Sequence, residues 1–141
     1  MTDIISRERR RWNMSRIKRR DTGPERALRS RLHQMGFRFR LDRKDLPGSP
    51  DIVLHRYRVA VFVHGCFWHR HSGCQLAYTP KSNRAFWQAK FQGTKQRDRR
   101  SVRALRRLGW RAFVVWECDI ANNAQHVTEV LVKSMKSIQH L

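Results

Sequence analysis

Acid is scarce in this 141-residue chain: 11 Asp and Glu stand against 31 Lys and Arg, for a formal net charge of +20. A small domain repels itself at that charge unless a polyanion neutralises it, so nucleic acid is the expected partner. No apolar run approaches the roughly 20 residues of a membrane span. The charged N-terminus lacks the apolar stretch of a secretory signal. No long basic helix with an aromatic face offers a membrane surface instead. A soluble, cytoplasmic protein without a membrane partner is therefore expected. Cysteine is sparse and odd in number, with Cys66, Cys74 and Cys118 only, which argues against a disulfide framework. No internal repeat or low-complexity linker appears, and the apolar fraction of 40% is that of a folded domain, not a tail.

The order of elements implies one α/β domain. Residues 1–20 read as a basic arm that grips phosphates, and residues 21–141 as the domain itself. "DTGPERALRSRLHQMG" reads as a helix capped by Asp21 or Thr22, with Pro24 in its first turn, Gly36 at its stop and Leu28, Leu32 and Met35 as its apolar stripe. "FRFRLD" alternates as a strand. "DIVLH" and "RVAVFVHG" read as two strands joined by a tight turn near Arg56 and Tyr57, and their continuous apolar runs suggest a sheet centre covered on both faces. Helices are expected at about 83–92 and 95–108, the second with Val102, Leu105 and Leu108 inward. A buried strand "RAFVVWEC" and a helix over about 124–138, carrying Val127, Leu131, Met135 and Ile138, complete a mixed sheet flanked by helices.

Acids are few enough to weigh one at a time. Asp51 follows Pro50 at the start of a buried strand, where an unpaired acid is poorly placed. It is either a Pro-Asp turn former or a magnesium ligand, since hard cations favour carboxylate oxygen. Nucleases of the PD-(D/E)xK type put an acid at this point, then an acid and a lysine on the next strand. "RVAVFVHG" has neither, so the ordinary motif fails. Glu25 falls on the inward face of its helix, either as an acid favoured by the helix N-terminus or as an acid aimed at a site.

The densest stretch is "HGCFWHRHSGC", residues 64–74. Cys66, His71 and Cys74 have zinc-knuckle spacing, and Cys118 is the one cysteine left for a closed tetrahedral site. Three separate core thiols are the alternative. His64 and His69 remain over, and beside a magnesium acid a histidine can take a proton from water near neutral pH. Phe67 and Trp68 lie between them. They are either core residues or, if zinc fixes the loop, an exposed aromatic wedge for a base stack.

"NMSRIKRRDTGPE", "LPGSPDIV", "VAVFVHGCFWH", "PKSNRAFW", "RDRR" and "LGWRAFVVWEC" follow one another in order. Together they resemble the very-short-patch-repair (Vsr) DNA mismatch endonucleases, over about residues 7–120. The resemblance implies a variant of the PD-(D/E)xK fold with a structural zinc, which accounts for the failed motif. It implies Asp51 as the magnesium ligand, joined by the main-chain carbonyl of Val63, where threonine is frequent. It implies His69 as general base, His64 as a second active-site histidine, Glu25 as an outer-shell acid and Asp98 as a supporting acid. The zinc ligands map to Cys66, His71, Cys74 and Cys118, although Ser72 and Gly73 stand where the family has one residue. Thr94 stands where asparagine is frequent. Phe67, Trp68 and Trp87 match the wedge that enters DNA beside the mismatch.

The expected activity is a magnesium-dependent nick 5′ to the thymine of a T·G pair, in repair of deaminated 5-methylcytosine. Arg16, Lys18, Arg19, Arg20, Arg97 and Arg100 would hold the DNA backbone. A monomer is expected, with a polymerase and a ligase acting afterwards. The rivals are a nuclease of the same fold that needs no mismatch, and a zinc-stapled DNA-binding module without catalysis.

Overall fold

Alternation along the two central strands sets the layers. The computed structural model describes residues 22–41 and 43–137. The order is α1 (Gly23–Gln34), β1 (Arg40–Leu41), β2 (Ile52–Leu54), β3 (Val59–His64), α2 (Cys66–His69), α3 (Arg84–Arg107), β4 (Arg111–Trp116) and α4 (Glu117–Ser137). The sheet runs β1-β2-β3-β4, with antiparallel pairs β1–β2 and β2–β3 and a parallel pair β3–β4. The expected single α/β domain with a mixed, helix-flanked sheet is what forms.

Every residue of β2 and β3 is buried, so both faces are covered. Ile52, Leu54, Val59, Val61 and Val63 point to one face, where Leu28 and Leu32 of α1 and Leu131, Val132 and Met135 of α4 close the larger core. Val53, Ala60 and Phe62 point to the other and meet Leu46, Leu105 and Trp110. With a period of two, Asp51 falls on the Val53 face and His64 on the Phe62 face, which are the same face. Strand chemistry thus delivers an acid and an imidazole to the side that α3 covers.

The helix starts as its punctuation requires. Thr22 caps α1 by accepting a hydrogen bond from the Glu25 N–H at 3.3 Å, while Asp21 lies outside the described residues. Leu28 and Leu32 are fully buried, but Met35 sits at the cap and is exposed.

Several expectations need correction. The strand near residue 37 is only Arg40–Leu41, because Phe37 packs into the larger core before pairing begins. The turn after β2 is tight and centred on Arg56 and Tyr57 as expected, a 3-10 turn over His55–Tyr57 closed by Arg58 in the left-handed region. The two helices expected around 83–108 are one, α3, of 24 residues. Gly93 and Thr94 do not break it, and the Thr94 hydroxyl bonds back to the Lys90 carbonyl at 3.1 Å.

The inward stripe of α3 also differs. Leu105 is buried, Val102 is half-buried and Leu108 is 55% exposed at the cap. The stripe that faces the sheet reads Thr94, Asp98, Ser101, Leu105, spaced by four, three and four, so hydrophobicity alone could not identify it. β4 is the sheet edge and only half-buried. α4 is broken at Asn123, whose φ/ψ are non-helical; the Asn123 Oδ1 accepts from the His126 N–H at 3.1 Å, so the helix expected from about 124 starts there, and a short helical stretch over 117–122 precedes it. Ile138 lies outside the described residues.

Candidate active site and metal centre

Asp51, His64, His69 and Asp98 line one cavity of about 300 Å³, with Gly48, Ser49, Val63, Trp68, Thr94, Arg97 and Ser101 among its other walls. Each arrives by a traceable route. Asp51 is held at the head of β2, where its N–H donates to the Val61 carbonyl at 3.1 Å and its Oδ2 accepts from the Val63 N–H at 2.7 Å. The N–H and C=O of one strand residue point to the same edge. The Val63 carbonyl is therefore directed to the side on which Asp51 stands. A carboxylate and a main-chain carbonyl at one spot are a donor pair of the kind magnesium accepts, with water filling the rest of its shell.

His64 ends β3, and α2 carries the chain through a single turn that returns His69 over it. The two rings stack at 3.8 Å between centroids with 5° between planes. The His69 Nδ1 lies 2.7 Å from Asp98 Oδ2, and the His64 Nε2 lies 4.0 Å from the other Asp98 oxygen. Burial pushes the His64 ring down to about 4, the neighbouring His69 adds to this, and Asp98 opposes it. His64 is thus neutral at physiological pH.

The cavity floor depends on a close approach. Gly48 has φ +77, and a Cβ there would lie 2.6 Å from the Cβ and Oγ of Ser101. Only glycine lets the 46–50 loop rest on α3. Arg97 donates to the Thr94 hydroxyl at 3.2 Å, which orients a guanidinium at the cavity wall. Arg100 is exposed on α3 and does not line this cavity. Arg16, Lys18, Arg19 and Arg20 lie outside the described residues, as does the whole of the expected 1–20 arm.

Glu25 is buried, with Arg29 at 4.0 Å on the next turn, and is not part of the cavity wall.

A second cluster begins two residues along. One donor atom each from Cys66, His71, Cys74 and Cys118 lies within 4.8 Å of the others. His71 Nδ1 stands 3.2 Å from Cys118 Sγ and 3.7 Å from Cys66 Sγ. A tetrahedral zinc, with bonds near 2.3 Å to sulfur and 2.0–2.1 Å to nitrogen, separates such atoms by about 3.6 Å. The donor set and its spacing fit that ion. Without a cation, burial pushes the Cys66 thiol up to about 12, so a bound metal would supply the charge that holds thiolate there. Gly73 takes φ +71, and this left-handed residue absorbs the extra position beside Ser72.

Phe67 and Trp68 take the core placement, one of the two that their sequence left open. Phe67, Trp68 and Trp87 are buried and form a cluster with Phe91, not an exposed loop tip. The α2 turn directs Phe67 and Trp68 onto α3, where shielding apolar surface from water outweighs exposure in the DNA-free protein. Arg70 seals the cluster, its guanidinium 3.9 Å from the Phe91 ring centre, with hydrogen bonds to the carbonyls of Phe67 and Tyr78. Phe86 beside Trp87 is 59% exposed.

Sequence reasoning passed over two residues of "WEC". Trp116 stacks on His71 at 4.3 Å and meets His64 edge-on at 5.2 Å, bridging the two clusters. Glu117 Oε1 accepts from the Cys66 N–H at 2.9 Å, anchoring the start of α2. Adjacency to Cys118 was the available signal.

An α/β domain that brings an acid and a paired histidine–aspartate to one cavity has the groups to hold a cation and activate water for hydrolysis. Comparison with known proteins specifies it further. The model of the family described as DNA mismatch endonuclease Vsr matches residues 2–75. The chain is 50% identical to the Type II nicking enzyme V.XorIIP of Xanthomonas oryzae pv. oryzae, over 86% of this chain and 89% of that one. It is 39% identical to the DNA mismatch endonuclease Vsr of Escherichia coli, over 96% and 86%. It is 42% identical to the Type II nicking enzyme V.NmeAIP of Neisseria meningitidis, over 88% of each. The chain belongs to the Vsr family of DNA mismatch endonucleases, and is a DNA-cleaving hydrolase. A binding module without catalysis is thereby set aside. No helix among the described residues is long and apolar enough to cross a membrane.

Proposed function

We propose that this endonuclease nicks one strand of duplex DNA 5′ to the thymine of a T·G mismatch, with magnesium, in repair of deaminated 5-methylcytosine. The observation that carries the chemistry is the convergence of Asp51, His64, His69 and Asp98 on one cavity. Asp51 and the Val63 carbonyl would hold the magnesium, in a variant of the PD-(D/E)xK arrangement. When bound, the ion supplies Lewis-acid polarisation of the scissile phosphate and charge for the leaving oxygen. His69 is the general base. Its Nδ1 is engaged by Asp98, so Nε2 is the nitrogen that takes the proton from water. Asp98 is a positioning residue that fixes this tautomer, and the buried, neutral His64 supports the ring by stacking. Glu25 is retained as an outer-shell acid. Zinc on Cys66, His71, Cys74 and Cys118 would tie β3 to the start of α4.

The reading of the mismatch rests on the aromatic cluster. Phe67, Trp68 and Trp87 would part from Phe91, and stacking on bases would take the place of stacking on one another. A T·G step is cheaper to open than a matched one. Arg97 and Arg100, with Arg16, Lys18, Arg19 and Arg20, would hold phosphates. The product is a nick that a polymerase and a ligase must process.

Two relatives are called nicking enzymes, without a mismatch in their names, which favours a second reading in which a mismatch is not required. Labelled duplexes differing only in a T·G or C·G pair, in several methylation-site contexts with magnesium, decide between them. Cutting confined to the T strand of the mismatch supports the first reading. Equal cutting of both duplexes sinks it in favour of the second.

A further inference from the structure

The two edges of the sheet are finished differently. β1 is an edge of two residues, too short to recruit a foreign strand. β4 is the opposite edge and runs for six residues, Arg111–Trp116. From Ala112 to Trp116 it carries no charge and no proline, the residues that ordinarily guard an exposed edge. Among the described residues no strand pairs with its outer side, where alternate N–H and C=O groups of β4 point. The surfaces flanking this edge are unlike. On the α3 side, Val114 and Trp116 border a groove with Lys95, Arg99, Arg103 and Arg106. These cations recur by four, four and three, so one face of α3 presents them all, and all are exposed. Arg97 and Ser101 face the Asp51 cavity instead, so the two lie on different sides of the helix. On the α4 side, Phe113 and Val115 border a groove with Val127, Val130 and Leu131, and Val130 is 51% exposed. A strand laid along β4 would place one alternate set of side chains over the cations and the other over the apolar groove.

We infer that the β4 edge is a docking site for an extended segment of an acidic partner protein, in which Asp or Glu alternates with apolar residues. Main-chain pairing supplies affinity, and the two grooves supply specificity. Charge decides among the occupants. A second copy of this chain also carries +20, and none of its described strands contains Asp or Glu, so like charge opposes self-pairing. A nucleic-acid strand would satisfy the four cations but leave the strand edge and the apolar groove unused. An acidic, alternating peptide uses all three features at once. The surface does not rest on the mismatch reading, since Arg103, Arg106, Val114 and Val130 take no part in the Asp51 cavity.

The test uses the full-length protein without DNA and a synthetic peptide of alternating glutamate and valine, about six residues long, titrated at physiological salt. Amide hydrogen exchange followed by NMR should show new protection at alternate residues of Ala112–Trp116. Two control peptides keep the charge: one with the same composition in blocks, and one with the same order and an N-methylated backbone. Each should bind roughly tenfold more weakly, or worse, because the register or the ladder hydrogen bonds are lost. The double variant Arg103→Glu, Arg106→Glu, and separately Val130→Asp, should weaken binding by a similar factor with circular dichroism unchanged. No binding, no protection in β4, or equal binding of all three peptides would overturn the proposal. Protection confined to α3, with an oligothymidylate of equal charge bound as tightly, would assign the groove to phosphates and overturn it as well.

Discussion

Two clusters grow from the same eleven residues, and they differ in every property that matters. His64 and His69 join Asp98 with nitrogen and oxygen donors at an open cavity wall. Cys66 and His71, each two positions later, join Cys74 and Cys118 with mostly sulfur donors. Each pair is separated by five residues, because the same single turn, α2, carries both. Alternation at the end of β3 sends His64 to the α3 face, and α2 begins with Cys66 beside α4. Trp116 stands between them and touches both. One short segment can therefore carry both the proposed metal staple and the proposed base, since the α2 turn joins the two clusters.

The largest effect should come from Asp51→Ala. Nicking is expected to fall by about three orders of magnitude or more with duplex binding largely retained. Strand-specific cleavage beside a gel-shift measurement checks this, and equal loss of binding would make Asp51 structural. Cys118→Ser should act on the other cluster instead. Loss of the metal is expected to cost roughly 3 kcal/mol, or about 10 °C in Tm. Zinc content and calorimetry would show it, and an unchanged Tm would dissolve the contrast between staple and site.

Asp98→Asn sharpens the comparison from the reactive side. With the tautomer of His69 no longer fixed, kcat should fall roughly 100-fold at unchanged Tm, and the acidic limb of the pH–rate profile should move. A loss confined to KM would remove Asp98 from its positioning role.

Stability against pH offers a smaller test. The folded His64 ring is held down to about 4, below the ordinary value of about 6.5. The unfolded chain therefore binds the extra proton first. The stability is fully present above about pH 6.5 and is lost as pH falls toward 4, amounting to roughly 2 kcal/mol at pH 5. Urea unfolding at pH 7.5 and pH 5 should show this loss in the wild type and not in His64→Gln, while acid sensitivity of the cysteine cluster is common to both. Equal losses would show that His64 is not desolvated in solution. Smallest of all, Arg97→Ala and Arg100→Ala should each reduce the slope of log K against log salt by about 0.9 if each meets a phosphate.

Much of this was readable before any fold was known. The caps of α1, the buried pair β2 and β3, and the mixed sheet follow from local pattern. The face shared by Asp51 and His64 follows from counting by twos. The cysteine spacing anticipated the cluster that forms. The stripe on α3 did not follow, since Thr94, Asp98 and Ser101 are polar and turn inward only because a polar cavity lies beneath them, while apolar Leu108 ends the helix in solvent. The aromatic trio did not follow either, because exposure or burial of Phe67 and Trp68 depends on where α3 runs.

The sequence by itself determined the charge that demands a polyanion, the first helix and the central strands β2, β3 and β4 in their order, and the identity of the donor atoms. Those properties are set within a few residues of one another or by composition. Only the tertiary structure decided that Asp98 reaches His69, that Cys118 reaches His71, and that Gly48 rests on Ser101. These contacts join positions 29, 47 and 53 residues apart, and chain pattern carries no distance at that range. Packing of α3 and α4 on opposite faces of one sheet supplies it.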